Sequence, residues 1–214
     1  YRSLVQDHLQ LAFPEKSRDW ILDMSRRNAA TMGRLFAELI QTPSVNAAFF
    51  SRRFAIENEE LQREIFARGG IAILGHLGNW EWHGLLGARL AGRPIYTIVK
   101  RHTNFWSNRY AEKSRNEVGM RLIYVDQNPF EIVRLLRRGE FVAFTSDQDA
   151  RQHGHFFSFF GKPASTFMGP AIIARTTAVP VYFVWSFRRE GKVVFAAEKL
   201  REVGVSRKNP EEWE

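Results

Sequence analysis

His76 and Glu81 stand five positions apart in Gly75-His76-Leu77-Gly78-Asn79-Trp80-Glu81, directly after the apolar run Ile71-Ala72-Ile73-Leu74. An imidazole oriented by a carboxylate is a general base for a hydroxyl. On a continuous helix this spacing would put the two side chains on different sides. Gly78-Asn79 predicts a loop-to-helix bend with Asn79 as N-cap, and such a bend can bring the carboxylate back to the ring. No serine or cysteine nucleophile is suggested beside the pair, so the reacting hydroxyl could belong to a substrate. The plain alternative is a helix N-terminus with an incidental histidine. The preceding strand and the flanking glycines weigh against it, because catalytic groups gather at the carboxyl ends of strands.

Asp147-Gln148-Asp149 follows another apolar run, with His153 and His155 close behind. Acidic pairs of this kind could hold a metal, although spacing alone is a weak guide, or could simply cap a turn. Phe156-Phe157-Ser158-Phe159-Phe160 could wall a tunnel, dip into a membrane or form an ordinary core strand. Arg115, taken alone, reads as a surface residue. Basic pairs recur at Arg26-Arg27, Arg52-Arg53, Lys100-Arg101, Arg137-Arg138 and Arg188-Arg189. Most read as solvated faces, and some could meet anionic lipid.

The elements that must carry these groups alternate. Residues 16 to 40 and 57 to 68 read as helices, the first broken at Thr42-Pro43-Ser44 and the second ended by Gly69-Gly70. Strands are predicted at 71–74, 95–99, 121–125, 141–145 and 179–186, with an edge strand at 193–197. Helices are predicted at 80–90, 104–118, 129–138 and 166–176. Short buried strands alternating with helices predict an α/β fold with a substantially parallel sheet. The organisation expected is one domain over 1–214: a helical preface over 1–68, an α/β core over 69–200 and a tail over 201–214.

Composition bounds the function. The 214 residues are 44% hydrophobic, which suffices for a sizeable core, and contain no cysteine, which removes disulfides and thiolate metal sites. Net charge is +8, from 31 Lys and Arg against 23 Asp and Glu, and this favours anionic partners. No apolar run approaches the roughly 20 residues of a spanning helix. The chain begins at Tyr1 rather than at a methionine, which leaves room for a preceding anchor.

His76-Leu77-Gly78-Asn79-Trp80-Glu81 resembles the HxxxxE/D motif of the lysophospholipid acyltransferase superfamily, and its Gly-Asn-Trp-Glu filling resembles the bacterial lipid A biosynthesis (lauroyl/myristoyl) acyltransferases. Further resemblances follow in order: Leu9 to Glu15; Asn104 and Arg115 with Gly119; Asp147-Gln148-Asp149; Phe159-Phe160-Gly161 with Thr166 and Gly169-Pro170-Ala171; Ala178-Val179-Pro180-Val181; and Pro210-Glu211-Glu212-Trp213. Two departures are a missing hydrophobic N-terminal anchor and a shorter stretch between Glu198 and Asn209.

The resemblance implies a single-domain layered α/β sheet with helices on both faces, glycerol-phosphate-acyltransferase-like, with an N-terminal helical segment. It implies an acyl thioester on acyl carrier protein or coenzyme A, attacked by a hydroxyl of an anionic glycolipid acceptor, a lipid A precursor or a related lipid. His76 would be the base, Glu81 its orienting carboxylate, and Arg115 the oxyanion donor, with a backbone N–H at the helix end as the alternative. Asn79, Trp80, Asn104, Asp147, Asp149, Phe160, Gly161 and Thr166 would shape the acceptor or acyl pocket, without metal or cofactor. The setting implied is a membrane surface, the cytoplasmic face of the bacterial inner membrane, reached peripherally or through an N-terminal anchor. Two rivals remain: a non-catalytic lipid carrier of the same fold, and a basic nucleic-acid-binding module. The second would need a basic stripe or a recognisable motif, and the chain has neither, so no nucleic-acid partner is expected.

Overall fold

Aliphatic and aromatic runs bounded by glycine, proline or asparagine form the strands of the computed structural model, which describes residues 2–42, 45–101 and 103–201. The described residues group into two compact units, one within 2–41 and 149–166 and the other within 42–148 and 167–201. Pro43 and Ser44 of the predicted helix break, and the tail resemblance at Pro210 to Trp213, lie outside the described residues.

The larger unit contains α3 (Ala47–Arg53), β1 (Phe54–Ile56), α4 (Glu59–Arg68), β2 (Gly70–Leu74), α5 (Trp80–Ala91), β3 (Ile95–Val99), α6 (Phe105–Glu117), β4 (Met120–Tyr124), α7 (Phe130–Arg137), β5 (Phe141–Thr145), α8 (Gly169–Thr177), β8 (Val181–Arg189) and β9 (Lys192–Arg201). The strands make one seven-stranded sheet in the order β1-β9-β8-β2-β5-β3-β4. Every neighbouring pair is parallel except β8 with β9.

Alternation along the strands splits the core into two faces. Ala72, Leu74 and Phe141 pack with Ile65 and Phe66 of α4 and with Trp80 and Ala88 of α5. Ile71, Val142 and Phe144 pack with Ile132, Leu135 and Leu136 of α7 and Ala174 of α8. Helices therefore cover both faces, as the α/β reading expects.

Two strand expectations are corrected. The helical stretch expected over 1–68 contains β1, whose three residues are too short for any periodicity to reveal. Residues 193–197 do not form an edge strand. They belong to ten-residue β9, which lies between β1 and β8. Its unbroken apolar run Val193-Val194-Phe195-Ala196 is buried throughout, as a strand covered on both faces requires.

The smaller unit holds α1 (Arg2–Ala12), α2 (Arg18–Gln41), a short 3-10 turn at Arg151–His153 and the hairpin β6 (His155–Phe159) with β7 (Lys162–Thr166). Phe13, between the two helices, meets Trp20 edge-on at 5.4 Å and Phe160 at 5.3 Å. The Phe-rich segment is not a core strand, because every residue of β6 is exposed.

Candidate active site

β2 and β5 are parallel neighbours, and Leu74 pairs with Thr145 at their carboxyl ends. The same 71-residue offset, carried two residues further, sets His76 against Asp147. The His76 backbone N–H donates to Asp147 Oδ2 at 2.8 Å, and the ring Nδ1 lies 2.7 Å from Oδ1. Trp80 meets the imidazole edge-on at 4.7 Å. Burial works against the Asp147 carboxylate, but its hydrogen bonds from the His76 ring and backbone hold its pKa below the ordinary carboxylate value. An ionised carboxylate only accepts hydrogen bonds, so in the neutral ring its partner Nδ1 carries the proton and Nε2 keeps its lone pair.

Between His76 and α5 the chain turns tightly against β8. Gly78 has φ +62°, and a Cβ there would stand 2.3 Å from the Ser186 carbonyl oxygen. Only glycine fits this approach. The Asn79 backbone N–H then donates to Ser186 Oγ at 2.9 Å, and its side chain caps α5 by accepting from the Trp82 N–H at 3.1 Å. Trp82 in turn donates from Nε1 to Thr42 Oγ1 at 3.0 Å.

Glu81 lies in the first turn of α5, and Arg115 in the last turn of α6. Arg115 grips Glu81 through two parallel bonds, Nε to Oε2 at 2.9 Å and Nη2 to Oε1 at 2.5 Å. Burial works against the Arg115 cation, yet the hydrogen bonds and charge of Glu81, with a smaller contribution from Tyr124, outweigh it and raise its pKa. The sequence spacing suggested a His76–Glu81 pair. The structure instead joins His76 to Asp147 and Glu81 to Arg115, because the histidine sits at a strand end while the glutamate is already helical.

His76, Trp80, Glu81 and Arg115 line one cavity of about 730 Å³ within the larger unit. It also takes in Ile95 and Phe141, at the amino ends of their strands, so it runs the length of the sheet, about 13 Å for five residues at 3.3 Å rise. Ala72, Ala143 and Thr97 are register partners in one row across β2, β5 and β3. These three small side chains leave the space open, whereas the place of a Gly84 side chain on α5 is taken by Met120. Lys100 joins Arg115 in making its lining cationic at the strand ends.

His83 also lines this cavity, and its ring nitrogens are buried without a hydrogen bond of normal geometry. Burial pushes its pKa from 6.5 down to about 4, an effect the Trp185 backbone offsets only in part. The ring is therefore neutral in the fold where it would start to charge in the unfolded chain. The unfolded state binds the extra proton as pH falls from about 6.5 towards 4, so folding stability contributed by the neutral ring is full above that window and is lost through it. Urea midpoints for His83→Leu should change less between pH 7 and pH 5 than those of the unsubstituted chain. An unchanged pH slope would exclude His83 as its source.

The other candidate residues are spread. Trp80 lines the cavity, whereas Asn79 is 1% exposed and committed to the turn. Asn104 is an exposed N-cap of α6, accepting from the Ser107 N–H at 2.9 Å. Asp149, Phe160, Gly161 and Thr166 belong to the smaller unit. There Asp149 accepts from the Arg151 N–H at 2.8 Å, and Phe160-Gly161 forms the hairpin turn. Among the described residues no three His, Asp or Glu side chains gather as a metal site. Two features escaped the sequence reading: Asp147 as the partner of His76, and the Ala72–Ala143–Thr97 row. Small residues inside predicted strands were the available signal for the row. Nothing in the sequence says that β5 inserts beside β2.

Among the described residues no helix is long and apolar enough to cross a membrane. The family model for bacterial lipid A biosynthesis acyltransferases matches residues 2–203. No curated protein matches the chain.

Proposed function

The chain belongs to the bacterial lipid A biosynthesis acyltransferases, a family that joins an acyl donor to a lipid acceptor, and we propose that it transfers a fatty acyl group from an acyl thioester to a hydroxyl of an anionic glycolipid. The donor is acyl carrier protein or acyl coenzyme A, and the reaction takes place at the cytoplasmic face of the inner membrane. The observation that carries this reading is the His76–Asp147 clamp beside a long apolar cavity.

Nε2 of His76 takes the acceptor proton as the hydroxyl oxygen attacks the thioester carbonyl carbon. The C–O bond forms, the tetrahedral intermediate collapses, the C–S bond breaks, and the proton passes to the leaving thiolate. Arg115 donates only two of its five N–H groups to Glu81, so three remain for the oxyanion or an acceptor phosphate. Glu81 fixes the guanidinium plane. The acyl chain lies along the row of small residues under α5.

Incubation with labelled acyl carrier protein or acyl coenzyme A and candidate glycolipids, with the product identified by mass, tests the reading. A product heavier by one acyl group is expected. Acyl binding without any transfer would favour the lipid carrier instead.

A further inference from the structure

The hairpin of the smaller unit takes no part in the chemistry above, yet it exposes an unusual set of side chains. Successive strand residues point to opposite faces, so Phe156 and Phe157 lie on different faces of the ribbon, and they are 61% and 37% exposed. Phe159 and Phe160 are 65% and 53% exposed. A two-stranded ribbon has no core of its own and is marginal in water.

The tip carries a side chain ill suited to its backbone. φ is +51° at Phe160 and +69° at Gly161, both positive as in a type I′ turn, where Asn-Gly is the favoured pair. A bulky residue in the left-handed region is disfavoured. The Phe160 ring is nonetheless held, packed edge-on against Phe13. Cations accompany the rings. Arg151 and Lys162 flank the hairpin, with His153 and His155 nearby, against the single carboxylate of Asp149. Lys16, paired with Glu15 at 3.4 Å, stands 5.8 Å over the Trp20 ring that continues this aromatic cluster.

A protein groove would bury one face of this ribbon and leave the other wet. A bilayer interface entered tip first covers both faces, takes aromatic rings at headgroup depth, and pairs the flanking cations with anionic headgroups. We propose that the Phe156–Gly161 tip is a membrane wedge that seats the protein on an anionic bilayer. It rests on the acyltransferase reading only in that the acceptor is a membrane lipid; binding itself needs no turnover.

Flotation of the chain with phosphatidylglycerol-rich vesicles at low salt tests the wedge. Two variants are compared, Phe156→Ser with Phe157→Ser, and Phe160→Asn, which removes the ring while suiting the turn. Thermal unfolding of each checks the fold. The unsubstituted chain should float, and each variant should partition at least about tenfold less, as expected for lost apolar burial. Transfer by the Phe156→Ser, Phe157→Ser variant to acceptor dispersed in detergent micelles should be unchanged. Flotation with no transfer by any form would uphold the wedge and remove the acyltransferase reading. The wedge is overturned if the unsubstituted chain does not float or if the folded variants float equally well. It is overturned too if the variants only convert a dimer to a monomer on gel filtration, since a second copy would then be the occupant.

Discussion

Asp147→Asn should lose almost as much acyl transfer as His76→Ala, each about a hundred- to ten-thousand-fold, with the fold intact. Asp147 uses both oxygens on His76, one accepting from the backbone N–H and one facing Nδ1. An amide has one acceptor oxygen and one donor group. If the oxygen keeps the backbone bond, the NH₂ faces Nδ1, the ring proton moves to Nε2, and the base has no lone pair for the acceptor hydroxyl. If the amide flips, a donor confronts the His76 N–H and the loop must shift. The double variant should be little worse than His76→Ala, because groups that act as a unit are not additive. Glu81→Gln should behave differently. It weakens the hold on Arg115 and lowers the rate, but by less than Asp147→Asn, because the base keeps its lone pair for the acceptor hydroxyl. Turnover, with circular dichroism as the fold check, decides between the two carboxylates. Near-normal transfer by folded Asp147→Asn would return the orienting role to Glu81.

That contrast shows where sequence was legible and where it was not. Local chemistry was readable: Gly78-Asn79 predicted a bend with an N-cap, and both are present because no side chain fits against Ser186 at residue 78. Strand and helix alternation was readable too, since apolar runs such as Ile71 to Leu74 are covered on both faces. What could not be read was lateral strand order. His76 and Asp147 meet only because β5 enters the sheet between β2 and β3, 71 residues downstream. Spacing within one motif favoured Glu81 for the imidazole, but the partner came from the next strand. The same ignorance of order made β9 look like an edge. Arg115 was singled out by family resemblance alone, and no spacing in the sequence foretold its two bonds to Glu81.

Ala143→Phe should separate the proposed acyl cavity from the proposed acid–base chemistry. Ala143 sits in the middle of the small-residue row, with Ala72 and Thr97 as its register partners and Gly84 lining the same cavity. A phenyl ring there blocks the passage between His76 and the far end at Ile95 and Phe141. A buried methylene is worth about 0.8 kcal/mol, so excluding some six methylenes of a long acyl chain removes about 5 kcal/mol of binding. Transfer from a long-chain donor should then fall by roughly three orders of magnitude, at 1.4 kcal/mol per factor of ten. Transfer from an acetyl or butyryl donor should be nearly unaffected, because the His76–Asp147 clamp lies at the strand ends beyond the block. Filling open space does not by itself unfold the chain, and the urea midpoint should hold or rise. Unchanged long-chain turnover would show that the acyl chain lies elsewhere. Equal loss with short and long donors would show that the ring had disturbed the catalytic end instead.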